Sequence, residues 1–175
     1  MATWIIDNAH SEIGFKVKHL VISTVSGKFN SFEGKAETEG DDFTNAKISF
    51  SADIESVDTN VADRNAHLRS ADFFDAANHP KLSFASTGFS HQGGDDYELT
   101  GDITIRGITK TIHLKAELGG IGPNAYGQTT AGFEITGKIN RKEFNLNWSA
   151  VTEAGGIVVS DEVRLVMNVE LIKQD

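Results

Sequence analysis

The residues best suited to chemistry lie in one short segment of the chain, between Asp63 and Asp75. Asp63 and His67 are four residues apart, so a helix would place both on one face as an acid–base pair, with Arg64 as an anchor. Arg64, His67 and Arg69 could instead hold a phosphate or another polar head group. In a third interpretation, these side chains cap helix ends and fix the segment by hydrogen bonds. The residues alone leave all three interpretations open.

This segment also stands out because its pattern favours a helix in a chain otherwise typical of strands. Asp58–Asn60 offer N-cap side chains, and Ser70 could cap a second short turn that carries Phe73 and Phe74. Pro80 would stop the helical region. A piece with one polar and one aromatic side commonly closes one end of a small barrel. We therefore expect a short helical lid here.

Most of the remaining sequence alternates apolar and polar residues, the pattern of strands with one buried face. The whole chain, residues 1–175, is predicted to form a single domain of about eight antiparallel strands, in an up-and-down barrel or a sandwich. Arg106–Lys110 suits a hairpin turn, and Gly119–Gly127 is interpreted as a loop. The apolar sets, to which a strand over 28–37 is added, are Ile13, Phe15 and Val17; Ile48, Phe50, Ala52 and Ile54; Leu82 and Phe84; Leu99, Ile103 and Ile105; Ile112, Leu114, Ala116 and Leu118; Ala131, Phe133, Ile135 and Ile139; and Val163, Leu165, Met167, Val169 and Leu171.

Composition narrows the classes of function. A net charge of -9 argues against a nucleic-acid groove, which needs clustered Lys and Arg, and the absence of Cys excludes disulfides and thiolate chemistry. No run of 18 apolar residues is present, so we expect no membrane span. The first residues lack a basic and apolar leader pattern, so we expect a cytoplasmic protein, or a periplasmic one if a leader was removed.

The sequence contains no recognisable motif for catalysis, cofactor binding or metal binding. No Ser lies in a Gly-x-Ser-x-Gly setting, and the glycines of Gly119–Gly122 open no helix, so we assign no catalytic residue and no cofactor. His10, His19, His67 and His79 lack the spacing of a metal motif, so no metal is expected.

Composition does not decide whether the barrel interior is filled by side chains or holds a ligand. A barrel of eight strands either fills with side chains or holds one small ligand. The chain has 11 Phe, and Phe15, Phe50, Phe84 and Phe133 could fill a core or line a slot for an apolar chain. Both interpretations stay open on the residues alone.

Several ordered motifs resemble the YceI-like proteins over essentially the whole chain. The family typically has Arg-Asp-x-His-Leu-x-Ser-x-Asp-Phe-Phe where this chain has Arg64–Phe74, and Asn65 replaces the usual Asp, which puts any role for an acid there in doubt. The resemblance implies an all-β, eight-stranded antiparallel lipocalin-like barrel with a short helical lid, binding polyisoprenoid lipids. Many members of the family are periplasmic. The matching stretches are Trp4–Asp7, Ala9–Ser11, Phe15–Leu20, Val25–Phe29, Phe32–Gly34, Arg64–Phe74, Leu99–Lys110, Ile139–Phe144 and Ser160–Val163.

From the residues and the resemblance together, we expect a binding protein and not an enzyme. Its ligand would be an isoprenoid lipid, such as a polyprenyl phosphate or a quinone-like lipid, held for sequestration or transport. The alternatives are an enzyme acting on a lipid-like substrate through Asp63, Arg64 and His67, and an interaction protein with a filled barrel. A homodimer, through a sheet edge or the Gly119–Gly127 loop, stays open. The expected ligand-binding residues are Phe15, Val17, His19, Phe50, Arg64, His67, Leu68, Phe73, Phe84 and Phe133.

Overall fold

A computed structural model describes residues 1–19, 23–148 and 159–175. Leu20, the last residue of one family motif, lies outside these ranges. The described chain is mostly antiparallel strand, with one α-helix and three short 3-10 helices at Asn8–His10, Ile54–Ser56 and Arg141–Phe144. The main elements are β1 (Ala2–Ile6), β2 (Glu12–His19), β3 (Ser23–Phe29), β4 (Phe32–Glu39), β5 (Asp42–Asp53), β6 (Val57–Asp58), α1 (Ala62–Arg69), β7 (Lys81–Gly93), β8 (Asp96–Ile105), β9 (Ile108–Pro123), β10 (Thr129–Asn140) and β11 (Val159–Lys173).

The strands form a closed antiparallel barrel. The ring runs β1-β4-β5-β7-β8-β9-β10-β11 and closes where Trp4 of β1 pairs with Lys173 of β11. The other part of β11 pairs with β2, and β2 pairs with β3. Strands β1 and β2 therefore act together as one long, bent strand, and β3 and β4 act together as another. Each long strand therefore neighbours the next one along the chain. The predicted eight-stranded barrel with one short helix is confirmed.

The predicted alternation places the apolar residues inside. Leu99, Ile103 and Ile105 of β8 and Ala131 and Phe133 of β10 are buried, with polar residues or glycine between them. This pattern arises because successive side chains of a strand point to opposite faces.

One end of the barrel is filled by an aromatic cluster, which we call the aromatic floor and which consists of Trp4, Phe43, Phe89, Tyr97 and Phe133. The rings of Trp4 and Phe43 are 4.9 Å apart, as are those of Phe43 and Phe133, and Phe89 stacks on Tyr97 at 4.7 Å.

The floor also holds a buried polar pair. Trp4 is fully buried, and its Nε1 donates to Thr38 Oγ1 at 2.8 Å. This bond satisfies a donor that would otherwise be costly to bury.

Glycine is required where the barrel wall is tightest and where it turns. A Cβ on Gly101 would lie 2.6 Å from the carbonyl oxygen of Ala85 and would also overlap the ring of Phe84. At the β8–β9 turn, Arg106 and Gly107 have φ angles of 51° and 77°, the pattern of a tight type I′ hairpin. The predicted hairpin is confirmed, but its turn is only Arg106–Gly107, and residues 108–110 already belong to β9.

The prediction of a loop over Gly119–Gly127 is largely wrong. Strand β9 continues to Pro123 and pairs with β10 through a bulge at Gly132, so only residues 124–128 connect the two strands. Glycines permit this longer, irregular pairing, because a bulged ladder needs backbone angles that other residues rarely adopt. Within the described residues, no helix has the length and hydrophobicity needed to span a lipid bilayer.

Candidate functional site

The helical segment lies at the barrel end opposite the aromatic floor. Helix α1 begins after Val61, whose side chain caps nothing, so the prediction of N-capping by residues 58–60 is wrong. The Asp58 carboxylate instead accepts bonds from Asn60 N at 2.9 Å and Asn65 Nδ2 at 3.2 Å. After the helix, the hydroxyl of Ser70 accepts from Asp72 N at 3.3 Å, as predicted for the second short turn.

Hydrogen bonds fix this lid to the barrel. Asn65 Oδ1 accepts from the backbone N and the hydroxyl of Thr59, at 2.7 and 2.6 Å. Arg106, in the β8–β9 turn, donates to the carbonyl oxygens of Phe73 and Asn145, at 2.8 and 2.9 Å. Asn65, where the family usually has Asp, therefore anchors α1 to Asp58 of β6 and to Thr59 directly after it.

The barrel encloses an apolar cavity of about 380 Å³ between the lid and the aromatic floor. Pockets for small molecules typically measure about 300–1,000 Å³, so this space is large enough for a ligand. Because the described side chains leave it open, the structure argues against the filled-barrel alternative.

All ten residues expected to bind a ligand line this cavity. Their side chains form both its apolar walls and its lid end. Their role as ligand contacts stays a prediction. Phe15, Val17 and His19 lie on β2; Phe50, Phe84 and Phe133 lie on β5, β7 and β10; and Arg64, His67, Leu68 and Phe73 belong to the lid.

The lid end of the cavity is polar. Arg64 Nε donates to Thr59 Oγ1 at 2.8 Å, and Arg64 Nη2 donates to the Thr59 carbonyl at 2.6 Å. A guanidinium has five N–H groups, so these two bonds leave further donors beside the cavity. His19 and His67 also border this end. The polar groups at the lid could therefore meet the head group of a ligand whose chain fills the apolar part.

The predicted pairing of Asp63 with His67 is wrong. Asp63 is exposed and does not line the cavity. His67 Nε2 instead lies 3.0 Å from Asp72 Oδ2, because the turn capped by Ser70 brings Asp72 back over the imidazole. The enzyme alternative loses the acid it assigned to Asp63.

Trp148 and Arg141 line the cavity, but neither was among the residues expected from the sequence to bind a ligand. Trp148 contacts the His67 ring edge-on at 4.7 Å and lies 5.5 Å from the Phe73 ring, so three rings form one cluster under the lid. The alternation of Phe144, Leu146 and Trp148 in the sequence was a signal for this inward face.

Arg141 is 2% exposed, and its guanidinium donates to main-chain oxygens of two segments. The acceptors are Leu146 and Trp148 on one side, at 2.5 and 2.7 Å, and Ser160 and Val159 on the other, at 2.9 and 3.3 Å. Burial lowers the pKa of Arg141, with the nearby Asp161 carboxylate opposing this shift. Arg141 thus joins residues 146–148 to the start of β11.

Potential metal ligands come together at the junction of β1 and β2. Among the described residues, Asp7, His10 and Glu170 offer ligand atoms within 4.8 Å of one another. His10 Nδ1 lies 2.7 Å from Asp7 Oδ2, and Asp7 Oδ1 also accepts from Ala9 N at 3.0 Å. These bonds give the group a structural role. The expectation that the chain binds no metal stays a prediction.

The hydrogen bond between His10 and Asp7 raises the pKa of His10 above 6.5 and lowers that of Asp7 below 3.8. The stabilisation from His10 is therefore present below its unfolded pKa and is lost as the pH rises through its raised, folded value. The stabilisation from Asp7 is present above its unfolded pKa and is lost as the pH falls through its folded value.

Known proteins share this architecture. Protein YceI of Escherichia coli (strain UMN026) is 38% identical over 168 residues, covering 96% of this chain and 84% of that protein. The crystal structure of the Campylobacter jejuni YCEI protein superposes with a TM-score of 0.78 at 32% identity, covering 97% of this chain and 96% of that one. A polyisoprenoid binding domain from Saccharophagus degradans has a TM-score of 0.71 at 15% identity, covering 98% of both chains.

The sequence match to a family extends over nearly the whole barrel. Residues 4–171 match the YceI-like domain, from the middle of β1 almost to the end of β11. The chain therefore belongs to the YceI-like domain family.

Proposed function

We propose that this protein binds a polyisoprenoid lipid, with the hydrocarbon chain in the cavity and the head group beside α1. The observation that carries the proposal is the enclosed apolar cavity of about 380 Å³ with a polar lid end. The Saccharophagus degradans domain of the same fold is described as polyisoprenoid binding, which supports this ligand class.

Burial of the chain supplies enough free energy for binding. Each buried CH₂ contributes about 0.8 kcal/mol, so ten carbons contribute about 8 kcal/mol before other costs. Association and ordering cost at least ~4 kcal/mol, so longer chains are needed for tight binding. The protein would hold such a lipid for sequestration or transport, without chemical turnover.

Arg64 and His67 are the proposed contacts of the head group. Arg64 has N–H groups beyond those that bind Thr59, and these suit a phosphate or a quinone oxygen. In this role Arg64 positions the polar end of the ligand and the aromatic floor limits the depth of its chain.

The first experiment is mass spectrometry of an organic extract of the purified protein, against a blank from the same host. We expect a stoichiometric isoprenoid lipid. An empty extract, together with no binding of added polyprenyl phosphate, would overturn the proposal.

A pair of variants tests the location of the chain. Phe15→Asp places a charge on the cavity wall, so we expect it to abolish lipid retention. Lys16→Asp is the control, because Lys16 is the exposed neighbour on the same strand. Equal retention by a folded Phe15→Asp variant would contradict binding inside the barrel.

An incubation separates binding from catalysis. The wild type and His67→Ala are mixed with the same lipid, and the products are analysed by mass spectrometry. We expect no chemical change with either protein. A product made by the wild type alone would favour the enzyme alternative.

A further inference from the structure

The ladder between β5 and β7 ends before these strands reach the aromatic floor. The β5–β7 ladder runs from Asp53 opposite Lys81 to Ser49 opposite Ala85 and ends there. Residues 42–48 of β5 and 86–93 of β7 continue as strands and remain paired to β4 and β8, but in the described ladder they do not pair with each other. The two strands therefore separate towards one end of the barrel.

Irregularities in both strands accompany this separation. Asn45 in β5 has a φ of 65°, and β7 has a register shift between Ser86 and Gly88. Next to the last paired residues, Ile48 N donates to the Ser86 hydroxyl at 2.8 Å instead of to a main-chain carbonyl. A side chain thus ends the ladder, and bulges of this kind bend strands away from their partners.

The separation leaves a groove of about 450 Å³ that reaches the cavity wall. Exposed Lys47 lines the groove at the outer surface, and buried Phe89 of the aromatic floor lines its base. Lys35, Ile48, Ser49 and Phe89 line both the groove and the cavity.

We propose that the gap between β5 and β7 is a second opening of the cavity, through which the far end of the ligand's hydrocarbon chain leaves the barrel. The inference rests on the proposed function and extends it to chain length. A head group beside α1 directs the chain towards the aromatic floor, and Phe89 of that floor borders the gap. A long chain that meets the floor can continue outward only through the wall. The ligand class is therefore polyprenyl chains longer than the cavity.

A bulky side chain in the groove tests this proposal. A Cβ at Gly88 would meet no atom within 4 Å, so Gly88→Trp fills the groove without a steric clash at its base. Gly132→Trp on β10 is the control, since a Cβ there also meets no atom within 4 Å and Gly132 does not line the groove. The probes are farnesol, with three isoprene units, and decaprenol, with ten.

We expect Gly88→Trp to weaken decaprenol binding by about tenfold or more, because two buried carbons correspond to about that factor. Farnesol binding by Gly88→Trp, and both affinities of Gly132→Trp, should equal those of the wild type. Unchanged decaprenol binding by Gly88→Trp would overturn the proposal, and so would an equal loss for both lipids. If wild-type protein binds neither lipid and also binds no added polyprenyl phosphate, the proposed function itself fails and this opening fails with it.

A measurement on the wild type does not depend on the folding of a variant. Decaprenol with a photoreactive diazirine at the far end of its chain is cross-linked to the protein, and labelled peptides are identified by mass spectrometry. We expect labels in residues 45–49 and 86–89. Labels confined to Trp4, Tyr97 and Phe133, deep in the floor, would overturn the proposal.

Discussion

Replacing Arg141 by Met should be among the most damaging single changes to stability in this barrel. Arg141→Met retains an unbranched side chain of similar reach and removes only the guanidinium. The change leaves the main-chain oxygens of Leu146, Trp148, Val159 and Ser160 without their donor.

The expected loss follows from these four bonds. Each contributes about 1 kcal/mol net, so the free energy of unfolding should fall by about 4 kcal/mol. For a chain of 175 residues, a loss of that size lowers the Tm by roughly 8–16 °C.

Urea denaturation followed by tryptophan fluorescence measures this loss, and Lys142→Met is the matched control. Lys142 is half exposed and lies 3.4 Å from Asp161 Oδ1, so its removal should cost at most ~1 kcal/mol. If Arg141→Met costs no more than Lys142→Met, the guanidinium does not hold residues 146–148 to the start of β11 and the reasoning is wrong.

Three further outcomes are expected. Gly101→Ala should lower the free energy of unfolding by about 2 kcal/mol, because the added Cβ would meet the main chain of Ala85. Gly88→Ala should change the free energy of unfolding by less than ~1 kcal/mol, because its added Cβ would meet no atom. Equal effects of the two variants in thermal melts would contradict the tight packing at Gly101. Asp7→Asn should lower the pKa of His10 towards 6.5, as measured by NMR titration, and an unchanged pKa would exclude the hydrogen bond as its cause. Thr38→Val leaves the buried indole N–H without its described acceptor and should cost about 2 kcal/mol in urea denaturation, with no loss contradicting that bond.

The wall of the barrel was largely predictable because each strand reports its own buried face. Phe15, Phe50, Phe84 and Phe133 were placed on inward faces by alternation alone, and all four line the cavity. The hairpin after Ile105 was likewise predictable, since local turn chemistry depends on few residues, although its turn has two residues and not the five predicted.

The lid and the gap were harder to predict because they depend on contacts between distant residues. The partner of His67 is decided by the turn at Ser70, which brings Asp72 into reach and leaves Asp63 in solvent. The ladder between β5 and β7 ends at a hydrogen bond from Ile48 to a serine hydroxyl, and no periodic pattern in either strand marks that point. Whether an inward-facing Phe packs in a filled core or lines a cavity depends on the arrangement of all eight wall strands together.

The closure of the ring between β1 and β11 has a consequence for folding kinetics. Neighbouring hairpins such as β8–β9 can form early, but the ladder from Trp4 to Lys173 joins residues near opposite ends of the described chain. Long-range pairings of this kind place all-β proteins among the slower folders, on timescales of roughly milliseconds to seconds. A barrel without β11 would leave β1 and β10 as open sheet edges. The interval before β11 docks is therefore when the chain is most exposed to aggregation through its edges.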